Sequence, residues 1–452
     1  MGLNAISQAG AVALFSRLAW RPGRSMATHC SDGPWRKGKA SPRLLAAMAH
    51  CPDDVRKEPI AQVAGPPRRA NERPRNNTGA DRTRHGFAVT NDRTNESMQS
   101  RILYDQDIDP AALAGRRIAV LGYGSQGEAH ARNLRDRGYA VIVAQRPGGL
   151  RHAMAVEHGF TPVSIPEATR AADLLILALP DDTMGEVYAA EIAPHLRPGQ
   201  ALGFIHGFAI RFGTIAPPAD VDVIMVAPKG PGPLVREVFT RGGGLAAIVA
   251  VHQDATGSAR RIALAWAGGI GSGRAGLIEA TFAQECEADL FGEQAVLCGG
   301  AIELMKAAFE VLVERGFPPE LAYFECIHEL KQIVDMQYAG GLARVRAKIS
   351  RTAAYGGLVN GPRLVSDEVR AAMRTILDEI QSGEFARQWL AASRAERTGK
   401  PDAPGTHPTD AGYPSSVSRK AGTMLAELIA AESQHASEEA GRKVRGMIRG
   451  EA

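Results

Sequence analysis

The chain has 452 residues, 44% apolar and 23% charged, a balance that suits a globular protein of two domains and a tail. No run of 18 apolar residues argues for a spanning helix, and the five cysteines (Cys30, Cys51, Cys286, Cys298, Cys326) lack CxxC spacing, which speaks against a zinc site or disulfide framework and for a reducing, cytoplasmic setting. The formal charge of +4 misleads: residues 1–97 hold 16 Lys+Arg against 8 Asp+Glu and the rest 37 against 41, so the body is acidic and offers no nucleic-acid groove.

Residues 1–97 read poorly as a domain. PPRRANERPRNNTGADRTR is rich in Pro, Arg and Asn without periodicity, the composition of a disordered segment. The first 25 residues, with Ser and Arg but few acids, resemble a weak organelle-targeting leader; the preferred alternative is upstream-translated sequence, with MQSRILYDQDIDP a fresh start at Met98.

From Arg116 the texture changes to short apolar runs bounded by Gly, Pro or charge: RRIAVLG, AVIVAQR, DLLILALP, QALGFIHGF, DVIMVAPK and GLAAIVAV. Helix-compatible stretches separate the early ones, which predicts an α/β fold over 98–279, a Rossmann-type doubly wound parallel sheet. Past about residue 280 the runs lengthen into helical ones (281–315, 319–338, 366–392), predicting an all-helical second domain over 280–452. A Pro/Gly/Ser-rich loop at 398–418 precedes a final helix over 421–449.

In RRIAVLGYGSQGEAHARNLRDRG, Gly122, Gly124 and Gly127 stand in GxGxxG register between a strand and a helix, the context a dinucleotide site requires. The first glycine permits the tight turn, the second lets backbone approach a pyrophosphate, and the third lets helix and strand pack closely. At the end of the second strand, where an NAD site usually carries Asp or Glu, stand Gln145 and Arg146, with Arg151 beyond; a guanidinium suits a 2′-phosphate, which favours NADP(H).

Two acidic pairs follow in the helical half. Asp289 and Glu293 in EADLFGEQ, and Glu325 and Glu329 in YFECIHELK, each have i,i+4 spacing, set within apolar stripes (Phe282, Val296, Leu297; Leu321, Ile333, Met336), with no Lys or Arg four residues on. Four inward-facing carboxylates need a cation between them. Oxygen donors without His or Cys suit Mg²⁺ or Mn²⁺, and Glu285 adds a third acid one turn before Asp289.

From Met98 on, GYGSQG, IHGF, DVIMVAPKGPG, DLFGEQAVLCGG and YFECIHELK together resemble the ketol-acid reductoisomerases (acetohydroxyacid isomeroreductases) of the short bacterial class, over about residues 98–392. The resemblance implies a Rossmann domain joined to an all-helical, knotted one. It implies Mg²⁺-dependent alkyl migration and NADPH reduction of 2-acetolactate or 2-aceto-2-hydroxybutyrate, in valine and isoleucine biosynthesis. It implies two Mg²⁺ bridged by Asp289, with Glu293 on one of them and Glu325 and Glu329 donated by a partner subunit, hence a homodimer at least and no membrane partner. By the same resemblance Ser350 binds the substrate carboxylate. Tyr123, Gly124, Ser125, Gln126, Arg146, Asp181, Asp182, Thr183, Met184 and Gly232 contact the cofactor. His206 stands at the position usually designated catalytic, Lys229 and Glu285 complete the polar shell, and Glu293 returns a proton if its pKa is raised.

The chain departs from that family in three places. Gly149 and Arg151 replace serines expected after Arg146, KGPGPLV differs from the usual version, and about twenty extra residues fall within 391–420. These departures keep open a divergent paralogue acting on a related acetohydroxy acid. A metal-independent NADP hydroxyacid dehydrogenase and a non-catalytic nucleotide sensor are the alternatives from other classes.

Overall fold

The computed structural model describes residues 101–398 and 425–447; the expectations for residues 1–97, and for the loop at 398–418 beyond Thr398, lie outside the described residues. The described residues belong to one compact unit, Val89–Ala452.

Its centre is an eight-stranded sheet in the order β1-β8-β7-β6-β5-β4-β2-β3. The strands are β1 (Ile102–Leu103), β2 (Arg117–Leu121), β3 (Ala140–Ala144), β4 (Leu174–Leu177), β5 (Ala201–Phe204), β6 (Asp222–Pro228), β7 (Ala247–Gln253) and β8 (Leu277–Glu279). From β3 through β2, β4 and β5 to β6 all pairings are parallel. The near-continuous apolar runs of β2, β4, β5 and β6 are buried on both faces, as a sheet covered by helices on both sides requires.

This parallel core is the expected Rossmann-type doubly wound sheet, and antiparallel pairings extend it into a mixed one. β7 runs antiparallel to β6, and β1 antiparallel to β8. The cause lies in where helix α6 (Gly232–Thr240) docks. It packs on α1 (Ser125–Asp136) and not as a crossover on the sheet face, so the chain re-enters the sheet from the end it has just left. A Cβ on Gly232 would collide with the Ser125 backbone, so the close approach of these helices needs glycine there.

Helices α2 (Leu150–Glu157), α3 (Ile165–Ala171), α4 (Asp181–Val187), α5 (Phe208–Arg211) and α7 (Ala259–Gly269) complete the sheet half. Beyond β8 the described chain is helical: α8 (Phe282–Gly292), α9 (Gly300–Glu314), α10 (Pro319–Tyr323), α11 (Leu330–Lys348), α12 (Arg351–Leu364), α13 (Asp367–Gln381), α14 (Glu384–Thr398), α15 (Leu425–Ser433) and α16 (Ala436–Met447). The run expected at 366–392 is broken by Gly383 at φ +77°, and the expected final helix is two helices. A core of Phe208, Cys286, Leu290, Ile380 and Ala386 fastens α8, α13 and α14 to α5.

One core contact has a consequence for stability. Trp266 donates its indole N–H to His130 Nδ1 (3.1 Å), which puts the histidine proton on Nε2, where it meets no partner. Complete burial pushes the imidazole pKa down to about 3. Between the unfolded value near 6.5 and that value, only the unfolded chain holds the proton. Stability is therefore undiminished above pH 6.5 and falls by ~1.4 kcal/mol per pH unit below it. In urea unfolding at pH 7 and pH 4.5, His130→Gln is expected to lose less stability than the parent by ~2–3 kcal/mol; equal losses would refute this.

Candidate active site

The glycine-rich turn sits where the strand order reverses, between β2 and β4. Gly122 adopts φ +98°, and a Cβ there would lie 2.5 Å from the Ala178 carbonyl oxygen. A Cβ on Gly127 would collide with the Gly122 oxygen, whereas one on Gly124 would meet nothing within 4 Å. Gly124 thus borders open space, the cradle a pyrophosphate needs, and it begins α1 with no side-chain cap on the first amides.

That turn forms one wall of a cleft of about 830 Å³. Gly122, Tyr123, Gly124, Ser125 and Gln126 line it, as do Arg146, Arg151, Asp181, Asp182, Thr183 and Met184, with His206 also on its wall. Gly232 stands at the α1–α6 contact, against the backbone of Ser125 on the cleft wall. Tyr123 is a lining residue as well. Its side chain is fully buried, hydrogen-bonded to His158 Nδ1 (3.0 Å), and burial pushes its phenol up to about 12, which leaves the Tyr123 backbone to face the cleft. Gln145 is occupied as well: its Oε1 accepts the Tyr123 amide at 2.9 Å and braces the turn. The two arginines therefore remain as the polar groups at the adenosine end. The β3–α2 loop turns at Gly148 (φ +81°), and Gly149 starts α2 without a side-chain cap.

Beyond His206, three elements converge on one carboxylate. Glu285 on α8 is 1% exposed. It accepts from the Gly207 amide (2.9 Å) and Lys229 Nζ (2.7 Å), and His206 Nδ1 lies 3.2 Å away. Gly207 follows β5 and Lys229 follows β6, so strand ends place both. Lys229 also reaches Asp289 Oδ1 (2.8 Å), and His206 Nδ1 lies 3.6 Å from Asp289 Oδ2. Ligand atoms of His206, Glu285 and Asp289 all fall within 4.8 Å of one another.

The electrostatics assign protons. For His206, burial favours the neutral ring but is outweighed by contacts with Cys286, Glu285 and Asp181, which push it up to about 11. Burial likewise opposes the Glu285 charge, yet His206 and Lys229 hold its pKa below the usual range. The chain alone thus presents an imidazolium at 206, not a base. Much of Glu293 is exposed, yet desolvation and then the Asp289 charge still raise its pKa. Burial pushes Asp181 up to about 6.

The second acidic pair does not join the first. Glu325 and Glu329 are exposed and stand apart from Asp289 and Glu293 within the chain. Ser350 is exposed too, and its hydroxyl accepts from the Ala353 amide (3.1 Å) as the cap of α12. Neither pair lies on a regular α-helical face. Glu293 opens a π-helical turn (Glu293–Leu297), and Glu325 lies inside another (Phe324–His328), each closed by an i→i+5 hydrogen bond. Such turns recur at functional sites because the extra residue redirects side chains.

Sequence spacing missed Cys286, 3.8 Å from His206 Nε2, and, on α14, Arg397, which lines the cleft, and Ser393, which bonds the cleft residue Asp182. The last two lie over 200 residues from their partner Asp182, where no local pattern can announce them.

Comparison with known proteins bears on this arrangement. Residues 112–276 match the family described as "Acetohydroxy acid isomeroreductase, NADPH-binding domain", and residues 282–449 match "Ketol-acid reductoisomerase, C-terminal domain". An NADH-preferring ketol-acid reductoisomerase from an uncultured archaean is 39% identical, with TM-score 0.70, over 77% of this chain and 100% of that one. A semialdehyde dehydrogenase NAD-binding protein from Cupriavidus necator is 24% identical over 60% of this chain and 99% of that one, at TM-score 0.48. With both halves matched and the archaean relative aligned over its whole length, the chain belongs to the ketol-acid reductoisomerase family.

Proposed function

We propose that Asp289 and Glu293 of one subunit and Glu325 and Glu329 of another form one site for two Mg²⁺. There 2-acetolactate or 2-aceto-2-hydroxybutyrate becomes the 2,3-dihydroxy acid of branched-chain amino acid biosynthesis. The observation that carries this reading is the Glu285–Asp289–His206 cluster, with ligand atoms within 4.8 Å of one another and His206 also on the dinucleotide cleft. On this reading the sheet half to Glu279 binds dinucleotide and the helical half binds metal.

The donor set fits hard divalent cations, but one chain does not hold enough charge. Glu285, Asp289 and Glu293 face Lys229 and the His206 imidazolium, so three carboxylates against two cations leave one net negative charge. Two dications need more acid than that. The apolar surface around the second pair supports its source. Leu321, Phe324, Leu330 and Val334, its neighbours in sequence, are 43%, 43%, 36% and 46% exposed, the kind of surface a second copy covers.

Bound Mg²⁺ supplies Lewis acidity that lowers the pKa of the substrate hydroxyl and polarises its carbonyl, and the nicotinamide supplies the hydride. The residues do the rest. Lys229 and His206 hold Glu285 charged and so fix α8, and with it Asp289, against the strand ends. Glu293, with its raised pKa, is the carboxyl suited to hold a proton and return it. Ser350 releases its cap to bind the substrate carboxylate. The described cysteines are unpaired, which supports a reducing, cytoplasmic setting.

Asp289→Asn is expected to reduce dihydroxy-acid formation from 2-acetolactate by ~10³-fold or more, with NADPH affinity kept; a parental rate would refute the metal role. EDTA is expected to abolish the reaction, whereas a metal-independent dehydrogenase would be unaffected.

For the cofactor, Arg146 and Arg151 on the cleft wall support NADPH, while the archaean relative is NADH-preferring by name. Arg146→Asp is expected to lower the ratio of NADPH to NADH efficiency at least ~10-fold. An unchanged ratio would remove Arg146 from the 2′-phosphate site.

A further inference from the structure

The dinucleotide cleft carries an unusual charge pattern. Four carboxylates line it, Asp181, Asp182, Glu186 and Glu191, against the guanidiniums of Arg146, Arg151 and Arg397 and the His206 imidazolium, so without Arg397 the acids are in excess. A dinucleotide brings two to four negative charges of its own, so this wall repels its ligand unless the acids are neutralised.

Arg397 does that for two of them. It stands near the C-terminal end of α14, in the helical half, and α14 packs against α4. Its Nη1 lies 2.8 Å from Asp182 Oδ2 and its Nη2 3.0 Å from Glu186 Oε1. Ser393, one turn earlier and buried, donates its hydroxyl to the same Asp182 oxygen and accepts from Arg397 Nη1 at 2.8 Å. The guanidinium is therefore held by three partners and faces the cleft, on a side chain that is 30% exposed. Such an ion pair on an open surface contributes little to stability. At the rim of an anion site its positive charge acts on the ligand.

We propose that Arg397 is a positioning residue for dinucleotide affinity: it neutralises Asp182 and Glu186, so that a polyanionic cofactor can occupy a cleft otherwise walled by acid. The inference rests on the dinucleotide occupying this cleft.

The test is the dissociation constant of NADPH and of NADH, from fluorescence titration of the full chain without substrate, at 50 and 300 mM NaCl. Arg397→Met is expected to weaken NADPH about 10-fold at low salt and NADH less, with the deficit shrinking at high salt. Arg397→Lys is expected to restore most of the affinity. Glu186→Gln is expected to relieve the Arg397→Met deficit and, alone, to tighten NADPH about 3-fold. The single Glu186→Gln variant, altered only at an exposed side chain, keeps the test valid if Arg397→Met does not fold. Parental affinity in Arg397→Met, an unchanged constant in Glu186→Gln, or a deficit indifferent to both salt and Glu186→Gln would overturn the proposal. Failure of the parent protein to bind either dinucleotide would overturn the cleft assignment itself, and this inference with it.

Discussion

A single buried carboxylate, Glu285, ties the sheet half of this chain to its helical half. Buried charge is costly unless every lone pair is satisfied, and here the Gly207 amide, Lys229 and His206 satisfy it from the ends of β5 and β6. These contacts fix α8 against the strand ends from which nicotinamide chemistry proceeds in this architecture. They also set the protonation of the neighbourhood. With Glu285 charged, Lys229 and His206 stay cationic, and Asp289 one turn along is drawn to the same two partners.

On our proposal, that arrangement leaves one chain with only part of the site. Lys229 and His206 already balance two of the carboxylates around Asp289, and Glu325 and Glu329 stand exposed with exposed apolar neighbours in sequence, Leu321, Phe324, Leu330 and Val334. Exposed apolar side chains gathered on one segment mark an interaction site. Covering it with a second copy and completing the acid set are, on our proposal, one event. The cleft obeys the same logic of compensation: its acidic wall is offset by Arg397, which the helical half carries back to α4.

Much of this was legible in the sequence because the constraints there are local. The fingerprint glycines could be assigned individually, since Gly122 and Gly127 each sit where a Cβ would strike backbone and Gly124 where the cleft opens. The motifs around the acidic pairs pointed to the family that comparison supports over both halves. What escaped depends on three-dimensional docking. The reversal of β7 follows from α6 seating on α1, which no strand pattern records. The π-helical turns insert a residue without disturbing apolar spacing, so i,i+4 arithmetic took both pairs as regular helix. Apolar flanks made Glu325 and Glu329 look inward-facing, because a stripe that meets another subunit reads the same as one that meets the core. Tyr123 lies in the fingerprint but is turned into the core by His158, and Arg397 is placed only by the fold.

The most direct test of the shared site is co-expression of Asp289→Asn and Glu329→Gln chains, each inactive alone, followed by assay of dihydroxy-acid formation with Mg²⁺ and NADPH. In a mixed dimer one site collects both defects and the other none, so the co-expressed protein should recover about a quarter of the parental activity. If each chain built its own site, every site would keep one defect and co-expression would recover nothing, which would contradict the account.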